Sequence, residues 1–149
     1  MKKTFSTFFL AIVLAFAAKS QSLTNNPLDP VIVKELIGTW TNQLASSLVI
    51  DGIDANTGSI SGSYISPSGT SGIKFPLIGW VNTSPADADQ PDHVVIVSFS
   101  VRWGAIGSVT SWNGYYRANA IVGQWLLASP NSKFSWDHTL VGQDSFAKK

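Results

Sequence analysis

Cysteine is absent from the 149 residues, which excludes a disulfide scaffold and leaves apolar burial to hold the fold together. Histidine occurs only at His93 and His138. Two separated imidazoles with no thiolate beside them are too few for a metal site, and Asp137-His138 has no nucleophile in a local motif with it, so no triad is signalled. Positive charge exceeds negative by only one: ten Lys and Arg face nine Asp and Glu, and nothing in that balance steers the chain toward nucleic acid. After residue 20 there is no apolar run of membrane-spanning length, no internal repeat and, from Gly38 onward, no helical period. What is left is an all-β reading, with function to be sought on the faces of the strands.

The one long apolar run lies at the start. Met1-Lys2-Lys3 precedes Phe8-Phe9-Leu10-Ala11-Ile12-Val13-Leu14-Ala15-Phe16-Ala17, a basic segment followed by a short apolar one that ends in small residues. This is the pattern of a secretory signal peptide, expected over residues 1–20 with cleavage between Ala17 and Ser20. Its loss removes Lys2, Lys3 and Lys19, so ten cations become seven against nine anions and the formal charge becomes −2. The 129 residues that remain of 149 suffice for one domain with a full core. The mature protein is expected to be secreted or periplasmic and not membrane-bound.

Residues 21–35, with Asn25-Asn26-Pro27 and Asp29-Pro30, are expected as an extended lead-in, residues 36–146 as the folded barrel, and 147–149 as a tail. Short alternating runs fill the middle portion: a first strand with Trp40, Asn42 and Leu44 on one face, a second over 48–51, a third over 59–66 with Ile60, Gly62, Tyr64 and Ser66 in phase, and a fourth over 74–81. Pro76 in the fourth implies a bulge or an unpaired position. The clearest period-2 run sets Val95, Val97, Phe99, Val101 and Trp103 on one face; after Gly104–Gly107 a sixth strand aligns Ser108, Thr110, Trp112, Gly114 and Tyr116. Strand seven, 120–128, brings Trp125 and Leu127 to one side, and strand eight is expected over 135–146. Eight strands joined in order by short turns predict an antiparallel up-and-down β-barrel, because closure removes the sheet's edges; a β-sandwich is the alternative. An eight-stranded barrel is just wide enough to hold one small ligand.

The Ser108–Tyr116 face mixes hydroxyls with a Trp. A core would exclude unpaired hydroxyls, and a solvent face has no need of an indole, so the mixture suits the wall of a site for a partly polar small molecule. Asn42, Ser46, Tyr64, Ser66 and Asp144 add further polar groups in phase with the Trp faces. Gly38-Thr39-Trp40-Thr41-Asn42-Gln43-Leu44, Gly62-Ser63-Tyr64, Gln124-Trp125-Leu126-Leu127 and Thr139-Leu140-Val141-Gly142-Gln143-Asp144 resemble, in order, segments of the avidin/streptavidin family.

That resemblance implies a secreted, non-catalytic, high-affinity binder of biotin that needs no cofactor. It implies that Asn42, Ser46 and Tyr64 donate to the ureido oxygen, that Ser66 and Asp144 accept from the two ureido N–H groups, and that Thr110 faces the thioether sulfur. Ser108, with Ser68 and Gly69 in the lid loop after strand three, falls near the carboxylate. Trp103, Trp112 and Trp125 would box the ring and chain, with Leu44, Leu127 and Leu140 beside them. Trp136 matches a residue that enters a neighbouring subunit's pocket, which implies a homo-oligomer, a tetramer ahead of a dimer; apolar Val94, Ile96 and Val109 on the outer face point the same way. The sequence departs from streptavidin in a shorter connection between Trp103 and Trp112, in Phe99 where streptavidin has a Trp, and in Pro67-Ser68 of the lid. A carrier of another amphipathic molecule in the same kind of barrel is the alternative, and an exported hydrolase lacks an acid–base pair. Asn82-Thr83-Ser84 is a formal glycosylation sequon.

Overall fold

The computed structural model describes residues 27–68 and 72–149. The proposed leader and Gly69 lie outside the described residues. Eight antiparallel strands form a closed barrel in the order β1 to β8: β1 (Gly38–Asn42), β2 (Ser47–Ile53), β3 (Ser59–Ile65), β4 (Lys74–Asn82), β5 (Val95–Arg102), β6 (Val109–Arg117), β7 (Ala120–Ala128) and β8 (Thr139–Lys148). Each pairs with its sequence neighbour, and β8 returns to β1 through Trp40↔Lys148, Thr41↔Ala147 and Asn42↔Phe146. The alternation read from the sequence becomes the inside and outside of this wall. Val95, Val97, Phe99 and Val101 are buried, as are Thr110, Trp112 and Tyr116 on the strand beside them.

Three features differ from the sequence reading. Residues 21–35 are not extended throughout, because Pro30–Leu36 forms a short helix, α1. Asp29 caps it by accepting from the Val31 N–H at 2.8 Å, and Pro30 opens it where no N–H is required. The sheet's register shift falls at Asp51, between Ile50 and Gly52 of β2, and not at Pro76. Pro76 stays in register with Ser63 and precedes the β4–β5 ladder, which begins at Leu77, so it is unpaired on the β5 side, the second of the two outcomes expected for it. Strand β8 begins at Thr139 instead of Ser135 and runs to Lys148, taking up most of the expected tail. The preceding loop is closed by Ser129 N–H to His138 C=O at 2.8 Å.

Helix α1 plugs the end of the barrel where β1 begins. Leu36 is fully buried, and its carbonyl accepts the indole N–H of Trp40 at 2.9 Å. Tyr116 meets Trp40 edge-on at 5.9 Å and donates to Glu35 Oε2 at 3.1 Å. Lys148 donates to the Glu35 carbonyl and lies over the Trp40 ring. Above the plug, Leu48, Ile50, Val97, Ile121 and Phe146 are buried to within 2 % and fill that half of the interior. The other end is the mouth, formed by the β1–β2, β3–β4, β5–β6 and β7–β8 connections.

Candidate ligand site at the barrel mouth

The polar residues singled out in the sequence come together above this apolar floor. Asn42 ends β1 facing inward, and its carbonyl oxygen accepts from the N–H groups of Leu44 (3.0 Å) and Ser46 (2.8 Å). Those two bonds fold the tight β1–β2 connection, in which Ala45 takes a left-handed conformation at φ 60°. They also fix the orientation of the amide, since only its NH2 end then faces the interior. Asn42 Nδ2 donates to Asp144 Oδ1 at 3.0 Å and lies 3.5 Å from the Tyr64 hydroxyl.

Asp144, on β8, is 3 % exposed. A carboxylate so buried needs donors around it, and it has three: Asn42 and Gln43 on Oδ1 and the Trp112 indole N–H on Oδ2, at 3.0, 3.0 and 2.8 Å. Two carboxylate oxygens offer about four lone-pair sites, so capacity remains for one more donor. Tyr64 is 3 % exposed, and its pKa is pushed up to about 12, by burial first and by the Asp144 charge, against an opposing hydrogen bond with Ser46. The phenol is therefore a proton donor across the whole neutral range.

Aromatic rings form the walls. Trp112 is stacked between Phe99 and Tyr64, each at 4.9 Å, so Phe99, which stands where streptavidin has a Trp, backs the indole. Trp103 stands edge-on to Tyr64 at 5.8 Å and to Phe75 at 5.2 Å, and its N–H reaches Thr110 Oγ1 at 2.7 Å. That bond leaves the Thr110 hydroxyl its own proton to donate. Trp103 leaves the strand, preceding the 3₁₀ turn Gly104–Ile106, and its backbone N–H closes the loop onto the Ser108 carbonyl at 3.0 Å. Trp125 is half-buried and crosses Gly142, its register partner on β8. A Cβ on Gly142 would lie 2.3 Å from the ring, so glycine is what lets the indole lie there.

Asn42, Ser46, Tyr64, Trp103, Ser108, Thr110, Trp112 and Asp144 are thus all buried in one region, with Trp125 and Leu127 half-buried beside them. Other expected residues are not brought in. Leu44 projects from its turn, 65 % exposed, and Leu140 is 55 % exposed on the rim stretch of β8. Trp136 is 78 % exposed and stacks flat on Phe134 at 4.9 Å in the β7–β8 connection, outside its own barrel. Ser66 is half-buried; its hydroxyl lies 3.2 Å from the Ser68 carbonyl and 3.3 Å from the Ser68 hydroxyl, and Ser68 is exposed. Gln43 and Phe75 are functional neighbours that the sequence reading missed; Phe75 is in phase with Leu77 on β4, which was the signal available for it. Among the described residues no cluster of His, Cys, Asp and Glu is arranged to hold a metal ion, and no helix is long and apolar enough to cross a membrane.

Known proteins agree with this architecture. The chain is 31 % identical to shwanavidin, solved without ligand, over 76 % of this chain and 95 % of that one, with a TM-score of 0.58. It is 27 % identical to a biotin-binding protein from chicken over 77 % of this chain and 98 % of that one, with a TM-score of 0.63. It is 25 % identical to bradavidin2, solved as a biotin complex, over 75 % of this chain and 95 % of that one, with a TM-score of 0.56. The Avidin family model matches residues 31–149, and the chain belongs to the avidin family.

Proposed function

We propose that the protein is an exported, non-catalytic biotin binder whose site is the mouth half of the barrel. The observation that carries this reading is the buried Asp144 carboxylate with acceptor capacity left, set beside the donors Asn42 and Tyr64 and walled by Trp103, Trp112 and Trp125. A urea needs that combination, with donors for one oxygen and an acceptor for an N–H. Asn42, Ser46 and Tyr64 would polarise the ureido oxygen as an oxyanion hole does, and Asp144 would take an N–H in a charge-assisted bond. Thr110 would donate to the thioether sulfur. Ser66 would take the other ureido N–H, and Ser108, Ser68 and Gly69 would lie about the carboxylate; Leu127 would run along the chain, with Leu44 and Leu140 reaching it only from the exposed rim. No cofactor or metal enters this reading.

Assembly belongs to the same proposal. Ile96 and Val109 are 45 % and 42 % exposed on the outer wall, and Trp136 is 78 % exposed. Patches of this kind are usually covered in a soluble protein. A homotetramer, ahead of a dimer, would cover them and carry Trp136 into a neighbour's site. Titration calorimetry with biotin after chelator treatment tests the function. Saturable heat with a raised melting temperature is expected, and no heat and no thermal shift at saturating biotin refutes it. Light scattering that shows a monomer which still binds biotin tightly would refute the assembly alone.

A further inference from the structure

Gln43 follows Asn42 in the turn after β1, where the backbone ladder to β8 has already stopped at Asn42↔Phe146. Its side chain continues that ladder. Oε1 accepts from the Ser145 N–H at 3.1 Å, and Nε2 donates to the Gln143 carbonyl at 3.1 Å, so a side-chain amide meets the two β8 groups that flank Asp144. The same Nε2 donates to Asp144 Oδ1 at 3.0 Å. Only one amide orientation works. Flipped, its oxygen would face a carbonyl and a carboxylate, and its NH2 would face an N–H.

Asp144 Oδ1 therefore has two donors of different character. Asn42 Nδ2 also lies beside Tyr64, on the side where the ureido oxygen is proposed to bind, and a ligand draws on it. Gln43 is turned away from the interior, held by both backbone groups of β8, and has no other demand on its N–H groups. We propose that Gln43 is a positioning residue for biotin: it holds the Asp144 carboxylate in place when the Asn42 N–H is shared with the ligand, so that the carboxylate meets the ureido N–H already aligned. This rests on the biotin reading, and it predicts that the benefit of Gln43 passes through Asp144 alone. A merely structural residue at the β1–β8 join would help equally with or without that carboxylate.

The experiment is a double-mutant cycle on biotin release from the full chain, with Gln43→Ala and Gln43→Met each made in the wild-type and Asp144→Ala backgrounds. Each Gln43 variant is expected to speed release about tenfold in the wild type, the factor that corresponds to 1.4 kcal/mol, and less than about twofold in Asp144→Ala. As a check that does not depend on the Asp144 variant folding, a biotin analogue methylated on the ureido nitrogen facing Asp144 should show wild-type and Gln43→Met releasing alike. Equal acceleration in both backgrounds, or a lowered melting temperature with release unchanged, overturns the positioning role and leaves biotin binding intact. A wild type that does not bind biotin at all overturns the biotin reading and this inference with it.

Discussion

Trp40 and Trp112 are both buried inside the barrel, and each donates its indole N–H, yet to groups of opposite kind. Trp40 gives its proton to the Leu36 carbonyl of the plug, a neutral main-chain acceptor that a short helix leaves over at its end. Trp112 gives its proton to the Asp144 carboxylate, a charge that solvent would have kept if folding alone were at stake. In the plugged half, Trp40, Tyr116 and Lys148 bond to the plug and the side chains packed above it are apolar. In the mouth half, Asn42, Ser46, Ser108, Thr110 and Asp144 are buried polar groups, arranged with hydrogen-bonding capacity to spare. The first half makes the barrel and the second gives it something to hold.

That division can be broken or sharpened, beginning with the largest effect. Trp40→Ala should cost about 3–5 kcal/mol of stability in urea unfolding, as large-to-small core changes do, while molecules that remain folded release biotin at the wild-type rate. Release that accelerates in proportion would break the division. Tyr64 gives a pH test. Its folded pKa of about 12 lies above the ordinary phenol value of 10.0, so its contribution is complete below about pH 10 and is lost as pH rises toward 12, because the unfolded chain gives up that proton first. The loss amounts to about 2–3 kcal/mol; comparing unfolding of wild type and Tyr64→Phe across that window measures it, and parallel curves would place Tyr64 in a wetter setting than the stacked rings imply. Asp144→Ala should weaken biotin by about 1.5–3 kcal/mol, mainly through faster dissociation, and an unchanged off-rate would remove Asp144 from the site. The smallest effect belongs to the plug: Asp29→Ala should cost about 1 kcal/mol of stability through the lost cap and leave calorimetric binding constants untouched.

The barrel was legible because its signal repeats along the chain. Val95 to Trp103 and Ser108 to Tyr116 alternate cleanly, and alternation is what a wall wet on one side and packed on the other requires. Helix α1 was not legible by period, since seven residues make too little of a turn count. Its real signal was local, an acidic cap followed by proline at Asp29-Pro30, which also reads as loop punctuation. Part of the buried site was legible for the same reason as the strands: Tyr64, Thr110 and Trp112 sit in phase with apolar neighbours, whereas Asp144, which alone reads as a strand-end cap or surface charge, stood out only through the family-like segment Thr139-Leu140-Val141-Gly142 before it. Phase says nothing beyond a strand's end, which is why Leu44 was assigned to the face it would occupy had β1 continued and is instead in the turn. Gln43 was invisible for a different reason, because a glutamine in a turn acquires meaning only from what crosses to meet it, and β8 lies about a hundred residues away.

The join between the first and last strands has a kinetic consequence. It is a ladder of three pairs, whereas β6–β7 and β7–β8 each run for nine, and it links the first strand to the last. Native proteins open first where the fewest bonds must break together, so amides of β1 and the end of β8 should exchange with deuterium ahead of those in β6 and β7. The same short join carries Asn42 on one side and Asp144 on the other. A molecule that bonds to both is a clasp across the weakest line of the cylinder, and the exchange it slows there would report its residence in the site without any label on the ligand.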